Sequence, residues 1–262
     1  MLKTLRKNLC VVLLPMVFSA TNAIADTSAS DASFTEIAAG TSRESLSSDA
    51  ADWTNSHLLI THQFAKRQSV NLDLARISRF GLSDETLTLS AYTPAGSKTT
   101  LFFEAMKSRN HNFLARDSLQ AQLLQSFDEG FAAAVGLRHV RYENSNVTIG
   151  EITLEKYFSD YRAAFSVLPS HSTTAGNATS YRGSFARYYG ERSNVQIAAS
   201  RGTELERANA LLPIIATDVR SITLYGRHGL NSAWAIDYAL GQSKRANVTH
   251  HEFSVGASFR FK

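Results

Sequence analysis

Hydrophobic and polar residues alternate along most of the chain with a period of two, which is the spacing of a β-strand with one apolar face. The clearest stretch is "SAWAIDYALGQ", where Trp234, Ile236, Tyr238 and Leu240 alternate with small or polar residues. The final stretch, "SVGASFRFK", follows the same rule. Such segments recur roughly every 10 to 14 residues between turn residues, while helical periodicity is scarce. The pattern predicts an all-β protein.

The alternating segments predict about fourteen strands. They begin near residues 33, 53, 68, 85, 98, 115, 131, 146, 160, 179, 193, 216, 232 and 248. The connections after even-numbered strands are short: "AKR", "PAG", "DEG", "SD", "GER" and "GLN". Those after odd-numbered strands include "ESLSSDAAD", "SRNHNFLA", "PSHSTTAGNA" and "ELERANALLPIIAT", beside the short hairpins "GLSD" and "ENS". Short turns at one rim and longer loops at the other are typical of a transmembrane barrel.

A soluble β-sandwich would also alternate, but its sheet edges stay open and invite pairing with other chains. Inside a bilayer every backbone N–H and C=O must be paired, so a sheet crosses only as a closed barrel. Closure pairs the last strand with the first. We therefore predict a transmembrane antiparallel up-and-down β-barrel with long loops on the outer side and short periplasmic turns.

The first residues indicate a secretory signal peptide. Lys3, Arg6 and Lys7 precede the apolar residues 9–18, and "AIA" at 23–25 offers a cleavage site. We expect a cleaved signal over 1–25 and one barrel domain over 26–262, in the outer membrane of a Gram-negative bacterium; an uncleaved anchor is the alternative. Cleavage would remove Cys10 and leave a nearly neutral chain, which argues against thiol chemistry and against a nucleic-acid partner.

The faces of the strands follow from the cost of charge in lipid, which is about 2–4 kcal/mol per basic residue near the midplane. Charged positions should therefore face inward. The predicted lumen-lining residues are Asp73, Arg79, Glu104, Arg116, Arg138, Glu151, Glu155, Arg162, Asp237 and Arg260. They either line a polar passage and set its selectivity, or form an ion-pair network that plugs the barrel. Because both signs are mixed, we expect no strong preference for anions or cations.

The opposite faces should contact lipid. The predicted lipid-facing residues are Leu72, Leu74, Leu87, Leu89, Phe103, Leu119, Leu123, Val135, Leu137, Phe165, Ile197, Ile236 and Phe253. The aromatic residues near strand ends, which fit interfacial girdles, are Trp53, Phe64, Phe127, Phe131, Tyr157, Tyr161, Trp234 and Phe261.

Six histidines are predicted near the outer rim: His57, His111, His139, His171, His250 and His251. A metal site or a Ser-His-carboxylate site would use such residues, but no spacing resembles a known ligand motif. We therefore expect no catalytic residue, metal or cofactor. The long segment "GTELERANALLPIIATD" either folds inward as a constriction or packs on the rim.

The carboxyl-terminal "SVGASFRF" fits the assembly signal of outer-membrane proteins: a polar residue, a glycine and two spaced aromatics. These are Ser254, Gly256, Phe259 and Phe261, and Lys262 after the last aromatic departs from the pattern. The expected partner is the outer-membrane barrel-assembly machinery.

The middle of the chain resembles the YaiO-type outer-membrane β-barrel family. The resemblance lies in Phe113 and Arg116 before a strand, the turn "QSFDEGF", the hairpin "GLRHVRYENSNV", the turn "EKYFSDYR", and the later "RYYGERS" and "SRGTELER". It implies a single outer-membrane barrel. The function of the family is poorly defined, and the position of some members near polysaccharide-synthesis genes suggests envelope glycan traffic.

The expected function is thus a non-enzymatic outer-membrane protein, either a narrow channel or a component of envelope polysaccharide export. Two alternatives are a lipid-modifying enzyme with a His/Ser/carboxylate site at the rim and a passive structural or adhesive barrel. The expected partners are outer-membrane lipids, the assembly machinery and an envelope polysaccharide.

Overall fold

Fourteen antiparallel strands form one closed barrel in the computed structural model, which describes residues 33–47, 51–207, 213–246 and 248–261. The strands are β1 (Phe34–Leu46), β2 (Trp53–Ala65), β3 (Gln68–Arg79), β4 (Leu82–Pro94), β5 (Thr99–Arg109), β6 (Asp117–Ser126), β7 (Phe131–Arg141), β8 (Asn146–Phe158), β9 (Tyr161–Ser172), β10 (Gly176–Tyr189), β11 (Ser193–Arg207), β12 (Ile214–Gly229), β13 (Trp234–Arg245) and β14 (Val248–Phe261). Each strand pairs with its neighbours in the chain, and β14 pairs with β1. The predicted fold is confirmed. The signal peptide predicted over 1–25 and Lys262 lie outside the described residues.

The seam between the first and last strands closes the barrel along their whole length. The pairing runs from Thr35 opposite Phe261 to Leu46 opposite His250. Gly256 lies at its middle, and a Cβ there would approach the Ala39 carbonyl oxygen to 2.9 Å. The alternating strand that ends the chain therefore leaves no free edge.

The connections define two rims. We call the end with the connections after even-numbered strands the turn rim, and the other end the loop rim. The turn rim holds both ends of the described barrel and a single 3-10 turn, Asp128–Gly130. At the loop rim, the segment "PSHSTTAGNA" is mostly strand rather than the predicted long loop, because its small polar residues continue the alternation from β9 into β10 and only residues 173–175 form the turn.

The outer surface is apolar, as predicted for contact with lipid. Leu119 and Leu137 are 64% and 58% exposed, and Phe253 is 54% exposed. All thirteen predicted lipid-facing residues lie on this side of their strands. No helix in the described segments is long and apolar enough to cross a membrane.

Two of the predicted girdle residues face inward instead. Trp53 is 2% exposed, and Tyr157 donates a hydrogen bond to Glu155 inside the barrel. Residues two positions apart in a strand face the same side. Trp53 lies two positions from Asn55, and Tyr157 lies two positions from Glu155, so both rings lie on the polar inner face. Phe64, Phe127, Phe131 and Trp234 are outward and about half exposed.

Candidate functional site

The interior of the barrel is the candidate functional site, because it collects charged side chains from most strands. Most of the ten predicted lumen-lining residues lie on inward faces: Asp73, Glu104, Arg138, Glu151, Glu155, Arg162, Asp237 and Arg260. Arg79, predicted beside them, is also inward and 5% exposed. Arg116 differs, because β6 begins one residue later, at Asp117. Its half-exposed side chain forms an ion pair with Asp117 at 3.3 Å outside the lumen.

At the turn rim, one carboxylate gathers three arginines. Glu36 contacts Arg192 at 2.5 Å, Arg227 at 2.7 Å and Arg260 at 3.2 Å, while Arg227 also reaches Asp237 at 2.6 Å. We call these five residues the turn-rim network. The sequence pattern placed Asp237 and Arg260 inside the barrel but gave no reason to join them.

Arg192 belongs to this network from outside the strands. It lies in the connection between β10 and β11 and donates a hydrogen bond of 2.6 Å to the Ala233 carbonyl oxygen. Burial lowers its pKa from the ordinary value, and the neighbouring Glu36 carboxylate acts in the opposite direction. The sequence predicted "GER" only as a short connection between two strands, so this contact across the rim was missed.

Between the rims, charges of opposite sign pair along the wall. Arg138 donates to Glu104, and Arg162 contacts Glu155 at 3.3 Å. Glu151 accepts a hydrogen bond of 2.5 Å from the Gln122 amide. Charges of both signs are therefore paired with each other or with a polar side chain on this part of the wall.

Aromatic rings fill the loop-rim end of the lumen. Trp53 packs edge-on against Phe80 with ring centroids 5.4 Å apart, and Phe80 meets Phe113 at 6.1 Å. The Arg79 guanidinium lies 4.4 Å from the centre of the Trp53 ring. Phe80 has a φ of 57°, a left-handed conformation that is unusual for a bulky residue. Its ring contacts on both sides hold it in this turn.

A second apolar cluster lies at the same end. It consists of Ala115, Val140, Val147, Ala178, Leu205 and Ile214, with Tyr142 packed against it. Burial raises the pKa of the Tyr142 phenol to about 12, so the group stays neutral in this setting. We call the two clusters together the loop-rim plug. Leu205 and Ile214 both belong to the segment that was predicted as a long loop, and both pack into the plug. Residues 208–212 between them are not described.

The connection between β5 and β6 enters the plug because Asp84 holds it. The Asp84 carboxylate, which is fully buried, accepts hydrogen bonds from the backbone N–H groups of Asn112 (2.8 Å), Phe113 (3.0 Å) and Leu114 (2.9 Å), and from the Asn112 amide at 2.8 Å. Phe113 is thereby fixed with no exposed surface. We call Asp84 and these donors the latch.

A cavity of about 60 Å³ lies beside the plug, lined by Glu44, Trp53, Arg79, Arg245 and His250, among others. His250 contacts Glu44 through Nδ1 at 2.6 Å. Its Nε2 is buried and has no hydrogen-bond partner among the described residues. A cavity of this size holds only a few water molecules.

The six predicted histidines do not converge. His57 faces inward against Gly40, His111 contacts Glu143 at 2.9 Å, and His139 bonds Thr148 at 3.0 Å on the outer face. His171 and His251 are exposed, and only His250 lies beside the cavity. The described segments contain no group of His, Cys, Asp or Glu side chains arranged to hold a metal ion.

The predicted assembly-signal residues divide between the two faces of β14. Ser254 and Gly256 face inward, whereas Phe259 and Phe261 face outward. The Phe259 ring packs 4.8 Å from Trp234 and 4.7 Å from Phe261. These three aromatics form part of the outer girdle at the turn rim.

The profile of the YaiO membrane beta barrel domain matches residues 34–206, about two thirds of the chain. The chain belongs to the YaiO family of membrane β-barrels. The resemblance proposed from the sequence motifs is confirmed, and with it the membrane β-barrel that it implied. A search of curated proteins found no significant match.

Solved structures with the same architecture are distant in sequence. The CymD monoaromatic hydrocarbon channel is 9% identical, with a TM-score of 0.56 over 92% of this chain and 91% of its own. A bacterial polysaccharide outer membrane secretin is 10% identical, with a TM-score of 0.54 over 88% of this chain and 99% of its own. Omp33 of Acinetobacter baumannii is 11% identical, with a TM-score of 0.53 over 88% of this chain and 100% of its own. At these identities the similarity shows the barrel fold and nothing finer.

Proposed function

We propose that the protein is a narrow, non-enzymatic channel of the outer membrane for small polar solutes, gated by the loop-rim plug. The observation that carries the proposal is the latch. The barrel wall is held by strand pairing, whereas the backbone N–H groups of Asn112, Phe113 and Leu114 in the plug are held by one carboxylate. The same loop tip also contacts Glu143 through His111 at 2.9 Å and accepts a hydrogen bond from Arg207 at the Asn112 carbonyl oxygen at 3.2 Å. A plug attached in this way can move while the wall stays intact.

The energetics of the latch favour a two-state gate. Hydrogen bonds to a charged acceptor are stronger than neutral ones, so four donors on Asp84 hold the loop firmly when the carboxylate is present. The ends of the same loop are anchored separately, by Ser108 N–H to the Arg116 carbonyl (3.0 Å) and Arg116 N–H to the Arg141 carbonyl (2.7 Å). Release of Asp84 would therefore free the backbone N–H groups of Phe113 and Leu114 while the ends of the loop stay attached. The remaining side-chain contacts of the loop tip, His111 with Glu143 and Arg207 with the Asn112 carbonyl oxygen, would have to break as well.

The lumen below the plug favours weak charge selectivity. Glu104 pairs with Arg138 and Glu155 pairs with Arg162, so each of these charges is compensated locally. A ring of one sign, which gives strong ion selectivity in channels, is not seen among the described inward residues. We expect a permeability ratio for K⁺ over Cl⁻ close to one.

The test is single-channel recording of the purified protein in planar lipid bilayers. We expect rare openings for the wild type, and an open probability at least tenfold higher for Asp84→Ala, because its loss leaves three backbone N–H groups of the loop unsatisfied. Asp52→Ala is the matched control, since Asp52 pairs with the exposed Arg43 at the same rim, outside the plug. A folded Asp84→Ala barrel that stays as silent as the wild type would refute the gate.

Passage of a polysaccharide is a second candidate, supported by a group of polar aromatic side chains in the lumen. Tyr157 donates to Glu155, Arg162 donates to the Gln196 side-chain oxygen Oε1 at 3.2 Å, and the Gln196 side-chain amide nitrogen donates to Tyr225. Tyrosines present a flat apolar ring with a polar tip, which suits stacking on a sugar ring. One solved barrel of the same fold is a polysaccharide secretin.

Liposome swelling separates the two candidates. If the lumen serves sugars, Tyr157→Ala with Tyr225→Ala in the Asp84→Ala background will slow the entry of an oligosaccharide severalfold while ion conductance stays constant. If the oligosaccharide enters at the same rate with and without the two tyrosines, passage of a polysaccharide is rejected and the small-solute channel remains.

The absence of enzyme activity is part of the proposal and has its own test. His250 and Glu44 are the nearest approach to a catalytic pair, but no hydroxyl in the described residues bonds the free Nε2. We expect no hydrolysis of phospholipid or acylated glycolipid in detergent micelles. Hydrolysis that disappears in His250→Ala would favour a lipid-modifying enzyme, while a silent, inert barrel would favour the structural or adhesive role.

Export and assembly complete the proposal. We infer a signal peptide over 1–25 that directs the chain to the periplasm, and recognition of Ser254, Gly256, Phe259 and Phe261 by the barrel-assembly machinery. Amino-terminal sequencing of the protein from outer membranes should begin at Asp26. Deletion of Phe261 and Lys262 should lower the amount of folded barrel, whereas deletion of Lys262 alone should not.

A further inference from the structure

Three basic side chains form a continuous row on the outer surface of the barrel. Arg201 on β11, Arg220 on β12 and Lys244 on β13 are all exposed. In the sheet register, Arg201 lies directly opposite Arg220, and Arg220 directly opposite Lys244. Their inward neighbours in sequence, Val219 and Arg245, are 1% exposed, which fixes the three basic residues on the outer face. We call Arg201, Arg220 and Lys244 the basic row.

The basic row has no acidic partner in the described part of the chain. None of its members takes part in an ion pair there, and the nearby Asp218 accepts a hydrogen bond from the Thr203 hydroxyl at 2.9 Å. Like charges directly opposite each other on neighbouring strands are destabilising. A row of three such charges therefore calls for an anion from outside the chain.

A second group of basic residues, on strands β3 to β7 at the same rim, differs from the basic row. There Glu85 lies opposite both Arg76 and Arg109, and Asp117 lies opposite both Lys107 and Arg141. The Arg141–Asp117 distance is 2.5 Å. In that group, acidic residues separate the basic ones. The basic row is thus not a general feature of this rim.

The height of the basic row matches the edge of the apolar belt. Lys244 lies ten residues along β13 from the girdle residue Trp234. At about 3.4 Å per residue and a tilt of about 40°, this gives about 26 Å along the barrel axis, close to the roughly 25 Å height of the apolar band in such barrels. Between the two levels the surface is apolar, with Ile222 50% exposed and Leu240 52% exposed. Lys244 therefore lies where lipid head groups begin.

We propose that the basic row binds the phosphates of a bisphosphorylated, multiply acylated glycolipid of the lipid A type in the outer leaflet. The row spans two strand spacings, about 10 Å, which two phosphate groups cover better than one. The acyl chains lie on the apolar strip below it, along Ile197, Ile222, Leu224 and Leu240. A zwitterionic phospholipid fits less well, because its ammonium group repels the same row. The proposal is independent of the channel, since none of these residues faces the lumen.

Binding to defined lipids tests the proposal. Native mass spectrometry of the full-length barrel in detergent would be run with bisphosphorylated lipid A, monophosphorylated lipid A and phosphatidylethanolamine. We expect bisphosphorylated lipid A to bind at least tenfold more tightly than phosphatidylethanolamine, with the monophosphorylated form between them. Phosphatidylglycerol, an anionic lipid with one phosphate, separates a phosphate requirement from a need for two phosphates.

Charge-matched variants locate the site. The variant Arg201→Gln/Arg220→Gln/Lys244→Gln should bind bisphosphorylated lipid A at least tenfold more weakly. The control Arg76→Gln/Arg109→Gln/Arg141→Gln removes the same charge at the same rim and should bind within twofold of the wild type. If both variants lose affinity equally, binding reflects overall charge and the assigned site is wrong. Undiminished binding by the first variant would also overturn it, as would capture of an acidic protein in preference to lipid.

Because glutamine substitution removes repulsion, the first variant should fold at least as well as the wild type in detergent without added lipid A. Its heat-induced shift in electrophoretic mobility checks this. Added lipid A should raise the transition temperature of the wild type and of the control, but not that of the variant lacking the basic row.

Discussion

The two ends of the lumen carry opposite kinds of interaction. The turn-rim network joins Glu36 to three arginines, whereas the loop-rim plug joins Trp53, Phe80 and Phe113 through ring contacts. Hydrophobic burial is non-directional and tolerates rearrangement, but a buried charge needs its partner in place. The comparison indicates a fixed end at the turn rim and a movable end at the loop rim.

The largest expected effect is at the plug. Trp53→Ala removes the ring that packs against Phe80 and Arg79, and truncation of a buried Trp costs about 4 kcal/mol of unfolding free energy. Urea unfolding in lipid vesicles, followed by electrophoretic mobility, measures the loss. Trp234→Ala is the control, because Trp234 is 47% exposed on the outer surface. Equal losses for the two variants would mean that the plug adds little to stability.

A somewhat smaller loss is expected at the turn rim. Glu36→Gln leaves Arg192 and Arg260 without their carboxylate, while Arg227 keeps Asp237. Removal of one partner from a buried ion pair costs about 3 kcal/mol. Adding Arg192→Gln should restore part of the stability, because it removes one unpaired cation. A double variant less stable than Glu36→Gln alone would show that Arg192 acts through its contact with the Ala233 carbonyl instead.

The sequence predicted the wall of the barrel far better than its contents. Period-two alternation placed the fourteen strand starts within three residues of those observed, and it oriented the lipid face, because both properties depend on local pattern. Trp53 was misplaced on a girdle, although its parity with Asn55 and His57 marked it as inward. The alternation in β2 thus predicted an inward Trp53, but its position at a strand end suggested a girdle residue instead.

The charge partners and the plug could not be predicted in the same way. Glu36 and Arg260 are 224 residues apart in the chain and meet only because the ring closes. Asp84 and Phe113 are joined by a loop that folds inward, and loops of polar residues usually lie on the surface. One feature of the sequence indicated that this loop is buried in part: "SRNHNFLA" contains two adjacent large apolar residues, Phe113 and Leu114, which are unusual in a fully exposed loop.

The smallest expected effect tests whether the two ends act independently. Trp53 and Glu36 lie at opposite rims on neighbouring strands and have no partner in common among the described residues. Substitutions at distant sites without shared contacts add within about 0.5 kcal/mol, so the double-mutant cycle of Trp53→Ala and Glu36→Gln should give a coupling energy below that value. The four barrels of the cycle would be unfolded in parallel with urea in the same vesicles. A coupling energy above about 1 kcal/mol would mean that the closed plug and the turn-rim network stabilise each other. The turn rim would then have to move when the plug opens, and the division into a fixed end and a movable end would fail.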